Sequence, residues 1–561
     1  AGNANPYVLL WSYRLEFKYA GCSSGSINPR VVIEMKKALF LFALSLSAAA
    51  TANETIDYSA LGRIRQEGFT NSQVMATMTH LTEKIGPRLS NSPQMAAANE
   101  WTKAQLGQWG MGNPRLEAFG PFGRGWQYQS ASVEMTSPRQ FTLSALPKAW
   151  TPGTNGPVSG EAMLLVAKTR EDLEKHKGKL KGKVLFISDA RDVKPSEKPD
   201  FTRYDEEKLK ALQTFTIPDA ADLKKRREEA DKYLKQKELT EYTNKFLAEE
   251  GVLATVSLSS WDNGIIRVMG GGSRKAGEAV GVPALVMISE HYNQVLRALE
   301  RKETVSLRLD IKAQFTSDKD EMGYNTLAEI PGSSRKNELV MIGAHLDSWH
   351  SGTGASDNAA GVAVMMEAMR ILKAIGVKPK RTVRIALWSG EEQGLVGSSE
   401  YVKQHFAELP EPADPMLKGL PRSLQENPLP PVLKAGHKNV SAYFNYDNGG
   451  GKVRGIYAQE NLAAAEIFRQ WIAPMQDMGV SIVTNRNTGS TDHVSFDRVG
   501  IPGFQFVQDN LDYFTHLHHT HLDGLDHVQA DDLKQSAVVV ASMVYLAAMR
   551  DDMLPRKPLS P

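Results

Sequence analysis

From about residue 319 onward, continuous apolar runs alternate with amphipathic stretches, and this alternation constrains the fold more than any other feature of the chain. Leu339-Val340-Met341-Ile342-Gly343 is apolar throughout, as expected of a strand buried on both faces of a parallel sheet. A helix is predicted from about Asn358, with Val362, Met365, Met366, Met369 and Leu372 along one face. Thr382–Trp388 reads as the next strand and Leu395–Phe406 as the next helix. Residues 407–436, rich in proline and polar groups, read as a surface insertion. Val440–Tyr446, a helix around Ala463–Met478, Gly503–Val507 and a final helix at about Leu533–Met549 continue the series. Strands and helices alternating over this length predict an α/β fold with a doubly wound sheet.

The preceding half has a different texture. Residues 58–109 read as mostly helical, with Val74, Met78, Leu81 and Ile85 at amphipathic spacing. Turn formers cluster at Thr151-Pro152-Gly153-Thr154-Asn155-Gly156-Pro157, where a boundary is expected. Short β-rich runs follow at 162–166, 184–187, 284–288 and 305–311, as in a small, mostly β domain inserted into a larger one. Residues 203–250, dense in Lys and Glu at helical spacing, read as a solvated helical excursion. The expected divisions are 53–150 and 319–552 for the two parts of the main domain, with 151–318 inserted between them.

The N-terminus reads separately. Met35 opens a basic, then apolar, then Ala50-Thr51-Ala52 pattern, the makeup of a secretory signal peptide over 35–52. Residues 1–34 are read as an upstream segment, and the exported chain is expected to start near Asn53. Without residues 1–52 the chain holds 61 basic and 62 acidic side chains and no cysteine, since Cys22 leaves with that segment. A balance this close to neutral excludes a dedicated nucleic-acid binder, and no apolar run is long enough to span a bilayer. Any metal must therefore sit on His, Asp and Glu rather than Cys.

In open α/β sheets, ligands sit outside the carboxyl ends of the strands. The predicted strands deliver in turn His345 and Asp347, with Asp357 in the following loop; Glu391 and Glu392; Asp447; and the run His516 to His521. Each residue alone has an ordinary reading as a helix cap, a turn residue or a solvated loop. Together they crowd carboxylates and imidazoles at one rim, where like charges repel unless cations compensate them, and this many ligands call for two.

Gly343-Ala344-His345-Leu346-Asp347-Ser348, Gly354-Ala355-Ser356-Asp357-Asn358, Gly390-Glu391-Glu392-Gln393-Gly394-Leu395-Val396-Gly397-Ser398 and His519-Thr520-x-x-Asp523 together resemble the zinc peptidase family M28. Asp347-Ser348-Trp349, Ile85-Gly86-Pro87-Arg88-Leu89 and His518-His519-Thr520-His521 are similar to its carboxypeptidase Q (plasma glutamate carboxypeptidase) branch. The resemblance spans roughly residues 58–552. It implies the zinc exopeptidase fold, a doubly wound mixed sheet with an inserted protease-associated-like domain. It also implies a homodimer, a peptide substrate and two Zn2+ per chain. By the same resemblance His345 and Asp447 would bind one zinc, Glu392 and His519 the other, and Asp357 would bridge both. Glu391 would be the general base, and Asp347 would hold the tautomer of His345. His521 stands next to His519 as an alternative last ligand. Thr491-Asp492-His493 resembles a substrate-side segment in the family's aminopeptidases, so Asp492 and His493 join the candidates. Two other readings share the fold: a glutaminyl-cyclase-like acyl transferase with one zinc, and a non-catalytic receptor-like binder. The peptide end recognised stays open, since a free amine needs a carboxylate in the pocket and a free carboxylate needs Arg or Lys.

Overall fold

The computed structural model describes residues 54–215, 220–412, 415–418, 420 and 429–558; the expected signal peptide and the segment before it lie outside them. Residues 55–561 form one compact unit built on two eight-stranded sheets.

The main sheet runs in the order Gly112–Gly123, Glu321–Ile330, Arg381–Trp388, Arg335–His345, Val440–Asn445, Gly503–Gln508, Val453–Tyr457, Ile482–Thr484. Its four middle strands, 381–388, 335–345, 440–445 and 503–508, are mutually parallel; an antiparallel pair flanks them on one side, and on the other a parallel pair joins antiparallel to 503–508. The mixed α/β sheet predicted from the alternation is present. Along 335–345 successive side chains face opposite layers. Val340, Ile342 and Ala344 join a core with the helices Tyr58–Thr70, Ala360–Ala374 and Ala530–Met549. Leu339 and Met341 join another with Tyr401, Phe406 and Phe496. Helix Ala530–Met549 is long and apolar enough to cross a membrane, yet 89% of its apolar window is buried inside the protein.

From strand 335–345 the chain goes first to a neighbour on one side (381–388), then to one on the other (440–445). That reversal is the switch point at which such sheets open a crevice. The helix following the crevice starts under tight steric control. A Cβ on Gly361 would lie 2.4 Å from Asn358 Oδ1 and 2.5 Å from Tyr446 O, so only glycine lets the first turn of Ala360–Ala374 approach the end of strand 440–445.

The second sheet runs Phe141–Leu143, Trp126–Ser137, Ser306–Phe315, Val158–Leu164, Lys183–Phe186, Ala254–Leu258, Ala284–Met287, Ala145–Pro147. It starts at Trp126, ahead of the expected boundary at 151. The turn cluster at 151–157 lies within the unit, where Thr154 N donates to Ile311 O at 2.9 Å; turn formers there mark a loop packed on a strand. Helices Arg170–Glu174, Ala220–Glu249 and Ser289–Glu300 accompany the sheet, so the unit is more helical than its β-rich runs suggest. Gly123 and Glu321 are paired residues of one antiparallel hairpin in the main sheet. Everything between them is inserted at that hairpin's tip.

Gly361→Ala is expected to lower stability by about 1–3 kcal/mol through overpacking, read as a fall in the denaturation midpoint. A comparable loss should not follow Gly62→Ala, where an added Cβ meets nothing within 4 Å.

Candidate metal centre

The parallel strands end together, and what they end in converges. His345 is the last residue of strand 335–345 and is buried. Its Nδ1 lies 2.9 Å from Asp347 O, which leaves Nε2 bare and facing the crevice. Around that nitrogen stand Asp357 Oδ1 at 3.3 Å, Asp447 Oδ1 at 3.5 Å and Glu391 Oε2 at 4.0 Å. The other oxygen of Asp357, Oδ2, lies 3.4 Å from His519 Nε2, and Glu392 Oε2 lies 2.9 Å from the same nitrogen. One carboxylate thus stands between two imidazoles, each with a further carboxylate beside it.

Apart from the 2.9 Å pair, these separations are long for hydrogen bonds but suit a shared cation. Ligand atoms about 2.05 Å from a tetrahedral zinc stand about 3.3 Å from one another. Two buried oxygens, Asp357 Oδ2 and Glu392 Oε1, accept no hydrogen bond, a costly state for a carboxylate without a counter-ion. Imidazole nitrogens with carboxylate oxygens form a donor set that zinc accepts. The residues fit a metal site.

The comparisons agree with this geometry. Residues 325–544 match the sequence profile of peptidase family M28. The chain is 26% identical over 478 residues to carboxypeptidase Q of Mus musculus, covering 85% of this chain and 86% of that one. Residues 325–544 thus carry a peptidase M28 domain, and most of the chain is similar to carboxypeptidase Q. Its fold is similar to that of a peptidase M28 precursor from Shewanella amazonensis, with a TM-score of 0.62, 23% identity, and coverage of 90% of this chain and 98% of the other. A zinc aminopeptidase from Bacillus subtilis gives a TM-score of 0.52 at 16% identity, covering 85% and 95%. The fold is the zinc exopeptidase fold of M28 enzymes, and the chain is a metallopeptidase acting on peptides.

Within the cluster the candidates fall into different places. His345, Asp357, Glu391, Glu392, Asp447 and His519 come together. His521 does not: its Nδ1 accepts from Ile266 N at 3.1 Å, which turns the ring away from the cluster. His518 takes the nearer place, its ring 3.8 Å from that of His519 and one of its nitrogens grouped with Asp357 and His519. The backbone of His519 at φ 62, a region where His is enriched among non-glycine residues, allows this juxtaposition. Asp492 is wholly buried, its carboxyl pushed up to about 7, chiefly by burial. His493 points away from the rim toward the Gln459 amide and Thr488 O.

Asp347 acts differently from the expected tautomer-holding carboxylate. Its backbone carbonyl is what meets His345 Nδ1, while the nearer carboxylate oxygen stands 3.7 Å away. The carboxylate instead accepts from Ser90 Oγ at 2.9 Å and from the amides of Glu391 and Glu392, each at 3.3 Å. It therefore orients the turn that presents both glutamates.

Two supports escaped the sequence reading. Asp523 accepts from Ser356 N at 2.7 Å and Asp357 N at 3.0 Å, fixing the bridging residue through its backbone. Arg88, fully buried, donates from Nε to Leu346 O and from its Nη atoms to Thr353 O and Gly354 O, each at 2.8 Å. The two ends of the 346–354 loop are thereby tied to one guanidinium. Both residues lie in quoted motif blocks, but nothing in sequence spacing says which distant carbonyls or amides they meet.

Electrostatics follow from burial. Burial pushes Glu391 and Glu392 well above the usual carboxylate range, and neighbouring acids, Asp447 beside the first and Asp357 beside the second, push further. For Asp357 burial acts upward too, but the neighbouring His345 and His519 imidazoles outweigh it and hold the carboxyl below its ordinary value. Without cations such a cluster holds protons, which metal binding displaces.

Asp523→Asn replaces an acceptor with an NH2 group facing one of the two amides. We expect a loss of about 1–3 kcal/mol, measured by denaturant unfolding, with the helical content of the folded state unchanged.

Proposed function

We propose that the chain is an exported exopeptidase of dipeptides or short peptides that works with two zinc ions. His345 and Asp447 would hold one ion, Glu392 and His519 the other, and Asp357 would bridge them. The observation that carries this reading is the Asp357 carboxylate, with one oxygen toward each imidazole. Bound zinc supplies Lewis acidity and a water whose pKa falls toward about 7. The protein's part is positional and protonic. His345 Nδ1 against Asp347 O selects the tautomer whose Nε2 lone pair faces the crevice. Glu391, buried beside the cluster and bonded to no ligand nitrogen, takes the proton of the attacking water and returns it to the leaving amine. The relatives, one named a carboxypeptidase and one a zinc aminopeptidase, support peptide-end cleavage without choosing the end.

Elemental analysis of the active protein should give two zinc ions per chain, lost to chelator together with peptide hydrolysis. One ion per active chain would favour the acyl-transferase reading. Glu391→Gln should retain both ions and lose at least about 10²-fold in kcat, whereas Glu392→Gln should lose an ion and recover part of its rate with added zinc. If Glu391→Gln loses zinc and Glu392→Gln keeps it, the two roles are exchanged. Export is tested by N-terminal sequencing of protein recovered outside the cytoplasm: a start near Asn53 supports it, and an intact Met35 refutes it.

A further inference from the structure

One short segment of the inserted unit runs beside the metal centre. Between its strands Ala254–Leu258 and Ala284–Met287, residues 265–268 run alongside 518–521 of the catalytic domain. Val268 N donates to His519 O at 3.2 Å, and His521 N donates to Ile266 O at 3.1 Å. Arg267 lies between these two pairings, half-buried, with its guanidinium aimed along the histidine pair. Its Nε donates to His518 O at 3.3 Å, and its Nη2 lies 3.4 Å from His518 Nδ1 and 3.3 Å from His519 Nδ1. The Trp261 ring centroid, 5.8 Å away, backs it.

The contacts leave this cation underused. A guanidinium carries five donors suited to a planar, two-oxygen partner, and here they meet one carbonyl and two ring nitrogens at long range. Among the described residues no carboxylate pairs with it, although it feels the charges of Glu392 and Asp357 across the His519 ring. Those acids are turned the other way, toward His519 Nε2 and the cluster. Arg88, the other cation near the crevice, is spent on buried carbonyls.

We infer that Arg267 binds the free α-carboxylate of the peptide substrate and so selects its carboxyl-terminal end. This rests on the peptidase reading above and deepens it. The guanidinium and the cluster face opposite edges of a single imidazole. One residue of extended peptide spans about 3.8 Å between Cα atoms, so a carbonyl at the cluster places the α-carboxylate one residue on beside Arg267. A longer carboxyl-terminal extension has its charge elsewhere. The substrate class is therefore dipeptides, or peptides losing one carboxyl-terminal residue. For an amine, by contrast, most of the carboxylates at the rim are turned toward His345 and His519.

The test uses the zinc-loaded full chain and two substrates: a dipeptide with a free carboxyl terminus and its C-terminal amide. Wild type should prefer the free acid, and Arg267→Gln should lose about 10²-fold in kcat/KM on it, mainly through KM, while losing far less on the amide. Arg267→Lys, which keeps the charge but not the two-pronged geometry, should fall between. Calorimetry with a free amino acid, the product of this cleavage, should show weaker binding to Arg267→Gln at unchanged zinc content. Equal wild-type rates on acid and amide overturn the inference and leave the peptidase reading standing. Equal losses on both substrates, or zinc lost from Arg267→Gln, also overturn it and make Arg267 a positioning residue for His519. Absence of hydrolysis of either substrate by the zinc-loaded wild type overturns the peptidase reading and this inference with it.

Discussion

Buried negative charge is the constraint on which the rest of this structure depends. Asp347, Asp357, Glu391, Asp447, Asp492 and Asp523 are all buried close to one rim of the main sheet, where each ionised group costs several kcal/mol unless paired. The fold meets that cost by distinct means. Backbone amides serve Asp347 and Asp523, imidazoles serve Asp357 and Asp447, and protons serve the glutamates until cations replace them. Stability and metal content are thereby linked: binding an ion that the folded rim alone can hold stabilises that rim.

The parallel strands explain why the acids can be held there at all. Four of them deliver their carboxyl ends to one edge, and the order reversal around strand 335–345 opens the space between His345 and Asp447. Helix Ala360–Ala374 and the Asp357 loop then close in to the limit Gly361 permits. His345 ends a strand and Asp447 follows two residues past the end of another, while Asp357 and the two glutamates are pinned by Asp523 and Asp347. Small errors in those pins move ligands directly, which is why residues that touch no substrate bear on activity.

Much of this was legible in the sequence. Strand 335–345 and helix Ala360–Ala374 announce themselves because both are buried and apolar, and the residues at the strand ends are conspicuous because buried runs seldom lead into His, Asp and Glu. The edge strand Gly112–Gly123 was not legible: it contains three glycines and two prolines, which its edge position tolerates but its pattern conceals. The inserted unit's start at Trp126 was hidden for a related reason, because the conspicuous turn cluster at 151–157 is an internal loop. Arg88, Asp523 and Arg267 act through contacts hundreds of residues distant in the chain or across two sheets, and no periodicity encodes those. The orientation of Asp347 belongs to the same class: its presence beside His345 was readable, but which of its oxygens faces the ring was not.

The pairing of Gly123 with Glu321 has an evolutionary meaning. A unit spliced into the tip of a hairpin leaves both flanking strands already in register, so the ancestral sheet did not have to be rebuilt to receive it, nor would its removal break the sheet. What excision would remove is the backbone alongside His518–His521. The insertion is thus modular with respect to the scaffold and obligate with respect to the catalytic edge.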